Sequence, residues 1–149
     1  MAGILVGIDG SDHSRRALEW AVSEAAVRNA PLTVLTVNQA VAGLWGRGPV
    51  EYPGDVDRTS HAREAAQKQT DSVIESAGPG SRPPSVSVEA VNGFPVEELV
   101  RASAGKDMIV VSSRGAGGFK RRRVGSVANQ LTHHAHCPVV VIPVDDEHP

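Results

Sequence analysis

Val110-Val-Ser-Ser-Arg-Gly115-Ala-Gly-Gly-Phe-Lys-Arg-Arg-Arg-Val-Gly125-Ser126 passes from an apolar, β-branched run, through a glycine- and arginine-rich loop, into the start of a helix. A helix start presents unpaired backbone N–H groups and the positive end of the helix dipole. Glycine lets that backbone approach an anion with no Cβ in the way. The segment therefore suits a phosphate. It carries neither the Gly-Lys-Ser/Thr of a P-loop nor the Gly-x-Gly-x-x-Gly of a dinucleotide site.

Outward from this unit, short apolar runs alternate with longer periodic segments. Residues 4–8, 32–37, 86–91, 108–111 and 139–142 read as strands. Most are near-continuous and β-branched, as strands covered on both faces are. After the first strand, Ala17, Leu18, Ala21, Val22, Ala25 and Ala26 recur at helical spacing, with Arg15, Arg16, Glu19 and Glu24 on other faces. Asp12 is the expected N-cap of that helix. A second helix is carried by Ala62, Ala65, Ala66, Val73, Ile74 and Ala77. A third carries Val96, Leu99, Val100 and Ala104, with Pro95 near its first turn, and a fourth Val124, Val127, Ala128, Leu131 and Ala135. Repeated strand–helix order predicts an α/β fold, a parallel sheet with helices on both faces. Residues 39–55, rich in Gly and Pro, show no periodicity and read as a long connection that is functional or mobile rather than structural, whereas residues 78–84 read as a surface turn. With neither internal repeat nor domain boundary, a single domain over residues 1–149 is expected.

Composition narrows the class. A chain of 149 residues can bury a substantial core, and 40% apolar content with a formal charge of −2 is ordinary for a soluble globular protein. Aromatics make up only 3%, so Val, Ile, Leu and Ala must build that core. Near-neutral charge gives no reason to expect nucleic acid as a partner. Cys137 is the one cysteine; it excludes an internal disulfide and fits a reducing compartment. Its place before Pro138 and a valine run predicts a buried, unreactive thiol. The N-terminus enters an apolar strand that Asp9 soon interrupts, unlike a secretory leader, and no apolar run has the length of a membrane span. A cytoplasmic protein without membrane contact is expected.

The glycine-rich segment resembles the nucleotide motif of the universal stress protein family, Gly-x-x-Gly, nine residues, then Gly-Ser/Thr. Gly115 matches the second glycine, Ala116 to Val124 are the nine, and Gly125-Ser126 closes the motif. Ser112 stands where the family has its first glycine; should that position need a positive φ, serine costs about 1–2 kcal/mol, which a hydroxyl–phosphate bond would offset. Ile4-Leu-Val-Gly-Ile-Asp-Gly-Ser11 resembles the family's first strand and Asp-Gly-Ser turn. Val91-Asn-Gly-Phe-Pro95 with Leu99 resembles its Gly-x-Pro-x-x-x-Leu lead-in to the third helix, and His134-Ala-His-Cys-Pro-Val139 its run into the last strand. Four matches in the right order cover nearly the whole chain. The resemblance implies an open five-stranded parallel sheet of strand order 3-2-1-4-5, Rossmann-like and similar to the adenine nucleotide alpha hydrolases.

In open α/β sheets a ligand binds beyond the carboxyl ends of the strands, where strand order reverses. In the implied order that point lies between the strand ended by Asp9 and the strand ended by Ser112 to Gly115. Backbone N–H groups around Gly115 and at Gly125, Ser126, Val127 and Ala128 suit phosphates, and the Ser126 hydroxyl adds a donor. Asp9, acceptor-only when ionised, suits a ribose hydroxyl or a phosphate-bridging Mg²⁺. The resemblance places adenine at the end of the second strand, read by backbone groups of Val37, and adds Ile8, Ser112, Ser113 and Arg114 to the nucleotide-binding set. Asp9-Gly10-Ser11 also reads as a plain turn and helix cap, and Gly115 to Gly118 as a flexible loop.

The Lys120-Arg-Arg-Arg123 cluster departs from the family, which commonly has apolar residues in place of Arg122 and Arg123. It suits either a terminal phosphate or anionic partner, or merely a solvated turn. Arg114, placed by the strand end, is the better phosphate candidate. His133, His134, His136 and Cys137 invite a metal reading, but the adjacent histidines point to different helix faces and no second cluster completes a tetrahedral shell. Helix-end histidines stabilised by the dipole account for them, and no resident metal is expected. Ser113 has no evident base and no nucleophilic role. Val139, Val140, Val141 and Ile142 belong to a long apolar edge strand, which the resemblance implies pairs with its copy in a homodimer; the acidic tail 145–149 is too short and polar to cover it.

The expected function is thus that of a universal stress protein: a dimeric stress-response protein that binds ATP or a related adenine nucleotide, with Mg²⁺ as an accompanying ion and no catalytic residues. The alternatives are a nucleotide-free dimeric scaffold and a slow ATP hydrolase, for which Asp9 is the one base in reach.

Overall fold

A computed structural model describes residues 2–39, 41–42, 49–50, 55–114 and 125–144. The elements are β1 (Ile4–Ile8), α1 (Asp12–Arg28), β2 (Leu32–Gln39), β3 (Val41–Ala42), β4 (Pro49–Val50), α2 (Asp55–Ala77), a 3₁₀ turn (Pro79–Ser81), β5 (Val86–Gly93), α3 (Pro95–Ser103), β6 (Met108–Ser112), α4 (Ser126–His134) and β7 (Val139–Ile142). Five strands form one parallel sheet in the order β5-β2-β1-β6-β7. Counted along the sheet's own strands, this is 3-2-1-4-5.

The pleat sorts side chains to two layers. Ile4, Val6, Ile8, Val34, Val88 and Val110 pack with Ala17, Leu18, Ala21, Val22 and Ala25 of α1 and Ala66 and Val73 of α2. Leu5, Leu35, Ile109 and Val111 pack on the opposite face with Leu99 of α3 and Ala128 and Leu131 of α4. Alanines on α1 let its backbone approach the sheet; the large aliphatics each contribute about 1.5–3 kcal/mol by burial. Gly7 in β1 serves the second layer: a Cβ there would lie 2.9 Å from Leu99 Cδ2.

The structure corrects several local readings. Ser11, not Asp12, is the N-cap of α1, with extended φ −77° and ψ 163°; Asp12 is the first helical residue, where its charge still meets the dipole. In α2, Ala65 and Ala77 are exposed while Thr70 is buried, its hydroxyl donating to the Ala66 carbonyl at 2.7 Å. The apolar stripe there includes a threonine that satisfies itself on the helix backbone. Within the stretch 39–55, β3 and β4 form an antiparallel ribbon, Val41 opposite Val50 and Ala42 opposite Pro49. Strands β2 and β5 run on together to Gln39 and Gly93.

Candidate functional site at the carboxyl edge of the sheet

Beyond β1 the chain makes a tight turn. Asp9 Oδ1 accepts the Ser11 backbone N–H at 2.9 Å and the Ser11 hydroxyl at 2.6 Å. Gly10 bridges them at φ +85°, a conformation side chains resist. Ser11 Oγ accepts the Ser14 N–H at 3.1 Å, while Ser14 Oγ donates to the Ser11 carbonyl at 3.1 Å and accepts the Asp9 N–H at 3.2 Å. The turn-and-cap arrangement is therefore realised, and it fixes the exposed Asp9 carboxylate at the strand's mouth. Ser14, 2% exposed, is a residue that sequence reasoning missed; the Ser11-x-x-Ser14 spacing resembles a capping box and is the signal that marks it.

Beyond β6 the bonding is denser. Ser112 pairs with Ile142 as the last residue of its strand, and its hydroxyl donates to the Arg114 carbonyl at 2.6 Å. Asn29 is the only non-glycine with positive φ among the described residues, so Ser112 carries no left-handed strain and the cost weighed for it does not arise. Ser113 is buried and uses three polar groups. Its N–H donates to the Ile142 carbonyl at 2.8 Å, its Oγ accepts the Val144 N–H at 3.0 Å, and its carbonyl accepts the Gly125 N–H. Arg114 follows it, also buried. Gly115, the loop to Val124 with Lys120, Arg122 and Arg123, and the tail 145–149 lie outside the described residues.

The α4 helix begins at Gly125, which has φ −71° and ψ 166° and no side-chain cap. Its carbonyl accepts the Asn129 N–H at 3.0 Å. Because the Gly125 N–H is committed to Ser113, the first-turn donors left to meet an anion are Ser126, Val127 and Ala128. Ser126 is exposed, Val127 half-buried and Ala128 buried.

Register brings these pieces together. Val6 of β1 lies beside Val110 of β6, so Asp9 and Ser112 to Arg114 leave the sheet side by side. The helix α1 departs to one face and α4 to the other, which makes this the switch point of the sheet. On the next strand, Ile8 pairs with Thr36, and Val37 stands one residue beyond that last β1 partner while still opposite Val91. Asn38 and Asn92 lie opposite each other at the same edge, and Asn38 Nδ2 donates a hydrogen bond to Asn92 Oδ1 at 3.3 Å.

The remaining candidates lie elsewhere. His133 and His134 are exposed in the last turn of α4, their rings 6.3 Å apart. Among the described residues, no group of three or more His, Cys, Asp or Glu is placed to hold a metal. Cys137 is half-buried, and burial followed by the negative charge of Asp107 pushes its thiol above the ordinary range. The four residues of the edge strand, Val139 to Ile142, are all half-buried; Val140 and Ile142 turn to one layer and Val139 and Val141 to the other. Among the described residues, no helix is long and apolar enough to cross a membrane.

The universal stress protein family model matches residues 2–143. The universal stress protein Rv2005c of Mycobacterium tuberculosis is 36% identical over 144 residues, which are 97% of this chain and 48% of that protein. The chain thus spans about half the length of the curated relatives it matches. Among solved structures, the universal stress protein UspA of Lactobacillus plantarum superposes with a TM-score of 0.74 at 26% identity, covering 93% of this chain and 95% of that one. A universal stress protein in complex with cAMP superposes with a TM-score of 0.64 at 24% identity, covering 94% of each chain.

Proposed function

The chain belongs to the universal stress protein family, and from that premise we propose that it binds ATP or a related adenine nucleotide at the carboxyl edge of β1 and β6, as a regulatory protein of the stress response. One observation carries the reading: α4 starts without a side-chain cap at the switch point of the sheet, held there by the Gly125–Ser113 bond. An uncapped helix start in that position is a phosphate site in the making. The family relative in complex with cAMP supports adenine as the base.

In this reading the N–H groups of Ser126, Val127 and Ala128, with the Ser126 hydroxyl, take the phosphates, and Gly115 and Arg114 flank them. Asp9 takes a ribose hydroxyl or Mg²⁺, and its exposure at the strand end suits either. Val37 and Ile8 line the base, Val37 through its backbone. Mg²⁺ would screen phosphate charge. The role is binding rather than turnover: Asp9 Oδ1 already accepts two bonds from Ser11, which suits a fixed acceptor more than a proton-abstracting base. The half-buried edge Val139 to Ile142 supports pairing with a second copy, and the single cysteine supports a reducing, cytoplasmic setting.

A second reading, the nucleotide-free scaffold, draws on Ser112. It stands at the motif's first glycine, and its hydroxyl is turned onto the Arg114 carbonyl. Denaturing freshly purified protein and identifying the released small molecules, alongside titration with ATP, AMP and cAMP, separates the two. Released or saturably bound adenine nucleotide supports binding; none of either, with a stable dimer, supports the scaffold.

A further inference from the structure

We infer that Ser113 is a positioning residue that couples nucleotide occupancy at the start of α4 to the far end of the edge strand β7. The inference rests on the nucleotide-binding reading above. Its basis is a closure in the chain. From Gly125 the backbone runs through α4 to β7 and out to Val144, and Ser113 grips that unit at both ends. The carbonyl of Ser113 holds the Gly125 N–H, its N–H holds the Ile142 carbonyl, and its Oγ holds the Val144 N–H. Ser113 itself is buried, at 5% exposure, while its partners Gly125 and Val144 are half-buried, so the three bonds meet at one residue fixed in the interior.

Phosphate on Ser126, Val127 and Ala128 would fix the first turn of α4, and with it the Gly125 N–H. The Gly125–Ser113 bond passes that restraint to the peptide groups on either side of Ser113, and the Oγ bond passes it on to Val144. A ligand that orders one end of a shared unit reduces what ordering the other end costs, which is positive coupling without a change of shape. Linkage is reciprocal, so loosening Val144 must also weaken the nucleotide. Val144 lies two residues beyond Ile142, the end of the strand proposed to pair with a second copy, so the same bond relates occupancy to that edge.

The test titrates Mg·ATP into the wild-type chain, Ser113→Ala and Val144→Pro, reading affinity by calorimetry and amide hydrogen exchange by NMR. Val144→Pro removes the N–H from the far side, outside the binding machinery, and carries the test if Ser113→Ala does not fold. In the wild type, saturating Mg·ATP is expected to slow exchange of the Val144 amide about fivefold or more, and in Ser113→Ala less than about twofold. Val144→Pro is expected to bind Mg·ATP about fivefold more weakly than the wild type. Wild-type affinity in Val144→Pro, or an unresponsive Val144 amide in nucleotide-bound wild type, overturns the coupling alone. Absence of binding by the wild type of Mg·ATP, and of AMP and cAMP titrated in the same way, removes the binding reading and the coupling with it.

Discussion

Gly125 donates its backbone N–H to the carbonyl of Ser113, so the helix that starts at Ser126 is pinned to the end of β6 across residues 114–124. The loop between is thereby closed at its base. Whatever its own conformation, the first-turn amides of α4 stay at the switch point.

Gly125→Pro tests that pin. Proline suits the φ of −71° found there but has no N–H to give. The loss of one hydrogen bond, about 0.5–1.5 kcal/mol, should lower nucleotide affinity about two- to tenfold and depress the Tm by a few degrees. Calorimetry and a thermal melt measure both; unchanged affinity would mean that the pin does not place the site.

Ser112→Gly should separate stability from binding. The variant loses the hydroxyl bond to Arg114 and gains unfolded-chain freedom, costing about 1–2 kcal/mol in denaturant titration. Nucleotide affinity should stay within about twofold, since a bond of this kind worth about 1 kcal/mol is made inside the protein rather than to ligand. A large affinity loss would show that the hydroxyl meets the nucleotide.

Ser11→Ala should cost about 1–2 kcal/mol, through loss of the cap on Ser14 and of the bond to Asp9. Asp12→Ala should cost about 0.5 kcal/mol, the scale of an exposed helix-dipole contact. Urea unfolding of both variants measures the difference; equal losses would contradict the placement of the cap at Ser11.

The Cys137 thiol, pushed up by burial and then by Asp107, should react more slowly with a disulfide reagent than a free thiol at the same pH, its rate profile lying at higher pH than that of the free thiol. Asp107→Asn removes a negative charge that opposes the thiolate, so the rate profile should move to lower pH. A shift to higher pH would contradict the assignment of that charge.

Much of the fold is legible in the chain because burial on both faces leaves most strands a near-continuous β-branched run, the edge strand β5 alternating instead, with Ser87 and Glu89 exposed. The apolar cores of β1 and β7 mark both their ends correctly. Strands β2 and β5 extend further, through Asn38, Gln39, Asn92 and Gly93, because backbone pairing continues where apolar side chains stop. The ribbon of Val41–Ala42 with Pro49–Val50 is too short to leave any periodicity. Ser11 and Asp12 are both good cap formers, and the extended backbone of Ser11 with its hydroxyl bond to the Ser14 N–H chooses between them.

Of the site, the converging strand ends and the open start of α4 follow from the motif's order. The use of the Ser113 hydroxyl does not, because its partner Val144 comes from beyond the last strand and no local pattern links the two. Nor could the motif disclose that the Gly125 N–H, counted with the phosphate donors, is already taken by Ser113.

The most direct test of the account follows the backbone amides of isotopically labelled protein by NMR during separate titrations with Mg·ATP, AMP and cAMP. Saturable shifts of the Ser126, Val127 and Ala128 amides, with Asp9 and Val37 following the same curve, are the predicted result. Saturable binding that moves a different set of amides, or no binding at all, would contradict it.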